Sequence, residues 1–109
     1  MQCIDGLLSH VWMVRTFLKH CDEAEEDDEL REVHRTLYDF MLALGGPFQA
    51  GDAEKYLKLA TKKLSKLRRA TRRFIEIQPE VSGHMNFQMA AQSLATAVEE
   101  IGRLLEEQS

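Results

Sequence analysis

The chain has 109 residues, 44% hydrophobic and 29% charged, with a formal net charge of −4. That composition fits one soluble globular domain with a modest core. Two prolines and six glycines leave little room for a turn-rich all-β fold, and the excess of Leu, Ala, Glu, Lys and Arg over Val, Ile and aromatics favours helix.

The first predicted helix covers about 4–21. Ile4, Leu7, Val11, Val14, Leu18 and Cys21 form its main apolar stripe. Asp5 or Ser9 is a candidate N-cap. Leu8, Trp12, Met13 and Phe17 fall outside the stripe, so this helix carries more apolar surface than one groove covers. These four are the candidate partner or self-association contact, with Trp12 and Met13 at its centre. Cys3 and Cys21 share the helix about 27 Å apart, beyond disulfide reach. With no basic leader followed by an apolar segment and no run of membrane-spanning length, the expectation is a reduced, cytoplasmic chain without export or membrane insertion.

Residues 22–29 form an acidic connector, with Asp27 and Asp28 placed to complement the N-terminal dipole of the second helix. The run lacks the central glycine of a calcium loop. The second helix covers about 28–44, with Leu30, Val33, Leu37, Phe40, Met41 and Leu44 on one face. Gly45-Gly46-Pro47 reads as its stop.

The third helix covers about 52–77, from an Asp52 N-cap to a stop at Pro79. Ala53, Leu57, Ala60, Leu64, Leu67, Thr71, Phe74 and Gln78 recur at a 3.5-residue step, and Tyr56 and Ile75 widen the seam. Its polar side is basic: Lys55, Lys58, Lys62, Lys66, Arg69, Arg72 and Arg73 are candidate phosphate contacts. No aromatics interleave with them for base stacking, and the chain as a whole is acidic, so a solvated face or pairing with the acidic connector is the plainer expectation. The fourth helix covers about 84–106 with Phe87, Ala90, Leu94, Ala97, Ile101 and Leu104 in register and Ala91, Val98 and Leu105 alongside.

Four amphipathic segments with short connectors, spanning 1–109 as one domain, predict an all-α up-and-down four-helix bundle. A dimeric bundle of paired helical hairpins is the alternative. His10 and His34 lie on helix flanks and are expected to be partly buried and hydrogen-bonded. No ligand pair a turn apart on one face joins either of them, so no metal or other cofactor is expected. Histidine-phosphotransfer domains are bundles of this size whose histidine is followed by lysine and glycine. His34 is instead followed by Arg35, Thr36, Leu37 and Tyr38, leaving a resemblance of architecture alone. With no nucleophile–base pair and no phosphate loop, the expectation is a non-enzymatic protein-interaction or self-association module. A polyanion-binding protein using the basic helix is the alternative, and a histidine-centred phosphotransfer or metal-binding bundle is the second.

Overall fold

The computed structural model describes residues 2–21, 27–81 and 83–108. Among them are four helices and no strand: α1 (Gln2–His20), α2 (Asp28–Gln49), α3 (Ala53–Val81) and α4 (Met85–Gln108). Each helix packs on its neighbour in the chain, and α4 returns to pack on α1. The α2–α3 contact is the most extensive of the four and α1–α2 the slightest. The result is an up-and-down four-helix bundle, 39 × 22 × 19 Å, whose buried core draws on all four helices.

The core follows from apolar residues placed three and four apart. Ile4, Leu8, Val11, Val14 and Leu18 come from α1, and Leu30, Val33, Leu37, Phe40 and Leu44 from α2. Tyr56, Ala60, Leu64, Leu67, Phe74 and Ile77 come from α3. Helix α4 supplies Phe87, Leu94, Val98, Ile101 and Leu105 with three alanines between them. Thr71 is buried in this seam because its hydroxyl donates to the Leu67 carbonyl at 2.8 Å. Ala53 and Ile75, expected on the seam, are exposed. Gly102 lies buried in α4, where the Arg68 guanidinium crosses toward Glu106 at 3.4 Å and leaves no room for a Cβ.

The helix ends depart from expectation where proline was taken as a stop. Helix α2 does not end at Leu44; it continues through Gly45, Gly46 and Pro47 to Gln49. The stop is Gly51, at φ 68, the left-handed conformation that glycine adopts without strain. Its N–H donates to the Phe48 carbonyl at 3.1 Å, and the Asp52 N–H donates to the Pro47 carbonyl at 2.9 Å. Those two bonds satisfy the last carbonyls of α2. Asp52 then caps α3, its carboxylate accepting the Lys55 N–H at 3.0 Å. Helix α3 likewise runs past Pro79 to Val81. Both prolines occupy a last helical turn, where a missing N–H forfeits one bond and breaks nothing downstream. Pro47 is buried as well, so extending α2 covers apolar surface that an earlier stop would expose.

This placement has a measurable consequence. Gly45 and Gly46 are helical and open to solvent, with nothing within 4 Å of an added Cβ. Gly45→Ala and Gly46→Ala are each expected to stabilise the fold by about 0.5–1 kcal/mol, and Gly51→Ala to destabilise it by about 1 kcal/mol. Urea denaturation midpoints check the signs. A chain that stopped at Gly45 would reverse them.

At the other ends, Asp27 caps α2 from extended backbone, its carboxylate accepting the Glu29 and Leu30 N–H groups at 2.9 and 3.2 Å. Residues 22–26 of the expected acidic connector lie outside the described residues. Asp5 and Ser9 do not cap α1, which begins at Gln2; Asp5 sits in its first turn and the Ser9 hydroxyl donates to the Gly6 carbonyl at 2.6 Å. His84 caps α4, its Nδ1 accepting the Asn86 N–H at 3.0 Å.

Candidate interaction surface

The four residues expected to form a contact on α1 separate in the structure. Leu8 is in the core, only 3% exposed. The four spread over about 180° of the helix circumference, too wide for one outward face, and Leu8 lies on the buried side with Ile4 and Val11. Phe17 is half-buried and meets Phe87 of α4 edge-on, with ring centroids 5.0 Å apart. Only Trp12 and Met13 remain exposed, at 43% and 66%.

Trp12 belongs to a different cluster. The Arg15 guanidinium lies over its ring at 4.3 Å from the centroid, and over the Tyr38 ring of α2 at 4.9 Å. Both distances are within cation–π range, and each contact contributes about 0.5–2 kcal/mol depending on desolvation. Arg15 itself is 7% exposed. Its Nε is buried without an acceptor, and no carboxylate of the described residues pairs with it. Leu42, one turn beyond Tyr38, is largely exposed and extends the apolar part of this face. Arg15 and Tyr38 were not singled out from the sequence as a site. Arg15 follows Val11 by four and precedes Leu18 by three, so it occupies a core-stripe position. A cation there is the available signal.

His34 borders the cluster. It is half-buried, but its Nε2 is sealed without a hydrogen-bond partner among the described residues, contrary to the expected hydrogen-bonded state. Burial lowers its pKa from 6.5, and the positive charges of Arg15 and Lys19 lower it further. As pH falls through 6.5 the unfolded chain takes up a proton that folded His34 refuses. Stability should therefore drop below about pH 6.5 and level off once the folded pKa is passed. Denaturation curves from about pH 7.5 to about pH 5.5 should show that slope, reduced in His34→Gln. His10, also expected to be partly buried, is exposed.

The basic side of α3 is a second surface. Lys55, Lys58, Lys62, Lys66, Arg69, Arg72 and Arg73 are all exposed. Arg73 pairs with Glu29 of α2 and with Glu76 at 3.3 Å, and these contacts hold its pKa above the usual value. Lys66, Arg69, Arg72 and Arg73 line a groove of about 710 Å³ between α2 and α3. Glu29, Glu32, Asp39 and Glu76 line the same groove. Its field is therefore mixed, and the α3 cations with no carboxylate partner among the described residues are Lys55, Lys58, Lys62, Lys63, Lys66, Arg69 and Arg72.

No protein-family model matches the chain, and no curated protein or solved structure matches it. The chemistry of the two surfaces is what remains to indicate a role. Among the described residues no group of three or more His, Cys, Asp or Glu side chains is placed to hold a metal ion, and no helix is long and apolar enough to cross a membrane. The Cys21 thiol donates to the Leu18 carbonyl at 3.2 Å. His34 Nε2, one of the two ring nitrogens that could accept a phosphoryl group, is sealed from solvent. The α1–α2 face offers recognition chemistry instead: a fixed guanidinium between two half-exposed aromatic rings.

Proposed function

We propose that this chain is a non-enzymatic interaction module that docks a protein, including a second copy of itself, through the α1–α2 face. The observation that carries this reading is the Trp12–Arg15–Tyr38 stack. Trp, Tyr and Arg dominate the energetics of protein interfaces because each combines a large contact area with little rotamer entropy lost when already held in place. Here the three lock one another before any partner arrives, and Leu42, one turn beyond Tyr38, supplies apolar surface beside them. The absence of a disulfide between Cys3 and Cys21 accords with a cytoplasmic setting.

Sedimentation over a wide protein concentration, paired with affinity isolation from the native lysate, tests the proposal. Trp12→Ala should weaken the contact about thirty- to a thousandfold while leaving the fold intact, since truncating a central interface tryptophan removes about 2–4 kcal/mol. A monomer at every concentration, with identical co-purifying proteins for wild type and variant, would sink the idea.

A second reading rests on the unpaired cations of α3, which project from an otherwise acidic protein and suit a polyanion. The carboxylates sharing their groove weaken it. Retention on nucleic acid at low salt that disappears in a Lys62→Glu/Arg69→Glu variant would favour this reading over the first.

A further inference from the structure

The α1–α2 face holds a buried cation with no anion beside it among the described residues. Burying a guanidinium costs several kcal/mol unless its charge and its donors are met. Arg15 meets the requirement in part, through the faces of Trp12 and Tyr38, which engage the guanidinium plane and leave its edge unused. It makes no hydrogen bond and no ion pair with a described residue, and Nε is the one of its nitrogens sealed from solvent. Its terminal nitrogens are not sealed in the same way and make no hydrogen bond to a described residue, so they remain available as donors. Lys19, one turn along α1 and exposed, adds to the positive field, which is felt at His34. Thr16 Oγ1 on the same helix is also buried without a partner.

We infer that Arg15 is a carboxylate receptor. The partner on this face contributes a Glu or Asp side chain from an acidic peptide segment, seated between Trp12 and Tyr38 with both oxygens on the terminal nitrogens of Arg15. This rests on the docking role proposed above and adds the chemistry of the occupant. A planar guanidinium matches a carboxylate in a bidentate pair, which a lysine at the same place could not form. The apolar neighbour Leu42, one turn beyond Tyr38, suits a peptide better than a free ion.

Trp12 is the single tryptophan, so its fluorescence reports on this spot alone. The probes are a blocked six-residue peptide with central glutamates and flanking leucines, the same peptide with glutamines, and inorganic phosphate at matched ionic strength. The glutamate peptide should give a saturable change, at least about tenfold weaker for the glutamine peptide, for Arg15→Gln and for Arg15→Lys. Arg15→Lys keeps the charge and the aliphatic stem, which guards against a merely misfolded variant, and circular dichroism confirms each fold. No response to either peptide, equal response to both, or a response to phosphate as strong as to the glutamate peptide overturns the inference. The two levels separate cleanly: association lost in Trp12→Ala but unchanged in Arg15→Gln leaves the docking face standing and removes the carboxylate, whereas association indifferent to both removes the face.

Discussion

Leu8→Ala is expected to cost about 2–5 kcal/mol of folding stability, whereas Met13→Ala on the same helix should cost less than about 0.5 kcal/mol. Leu8 is 3% exposed and packs in the core, so its truncation loses transfer free energy and opens a cavity. Met13 is mostly in water and has little contact to lose. A domain of this size has roughly 5–15 kcal/mol in total, so the Leu8 change removes a large fraction of it. Urea denaturation distinguishes the two through the midpoint at constant slope. The outcome also governs how association experiments are interpreted. Weaker association in Leu8→Ala would report a population of unfolded chain, while weaker association in a stably folded Trp12→Ala reports the surface. If Leu8→Ala falls within about 0.5 kcal/mol of wild type, Leu8 is not in the core and α1 is rotated relative to the arrangement described.

The bundle was legible because the apolar period runs through each helix with few polar interruptions, Arg15 and Thr71 among them. Leu30, Val33, Leu37, Phe40 and Leu44 were all expected on the inner face of α2, and all are buried. The N-terminal signals held equally well: Asp52 caps α3, and Asp27, one of two candidate acids, caps α2. The C-terminal ends were less legible for a physical reason. Glycine and proline both tolerate the last turn of a helix, so Gly45-Gly46-Pro47 does not separate a stop from a turn that continues. Pairing of the next glycine, Gly51, with a capping Asp52 carries the information, because a left-handed residue followed directly by an N-cap closes one helix and opens the next.

The surface was harder. Trp12 was recognised as surplus apolar area, but its value depends on Arg15 and Tyr38, which come from different turns and different helices. A helical period says which residues share a face; it does not say which flank of one helix meets which flank of the next. Phe17 shows the same limit from the other side. It left the stripe in the sequence because its ring reaches across to Phe87, a partner seventy positions away. Arg15 was the one readable sign, since an arginine on a core stripe must either find an anion or be clasped by rings. That local departure from the buried pattern is the reason the docking proposal centres on Arg15.

Tyr56 is expected to show opposite signs for two substitutions at one position. Its ring is fully buried at the start of α3 and lies 6.2 Å from the Phe48 ring at the end of α2. Tyr56→Ala should destabilise by about 3–5 kcal/mol, because it empties a large core site and loosens the α2–α3 corner. Tyr56→Phe should stabilise by about 1 kcal/mol, because the hydroxyl is sealed without a partner among the described residues and phenylalanine removes only that unsatisfied group. Burial, reinforced by the negative charge of Asp5, raises the pKa of the phenol well above its usual value, so the hydroxyl stays protonated and contributes no charge at neutral pH. Denaturant midpoints of the two variants check the signs together. A Tyr56→Phe protein that loses 1 kcal/mol or more would mean that the hydroxyl has a bonding partner, and that the core at this corner holds a buried water.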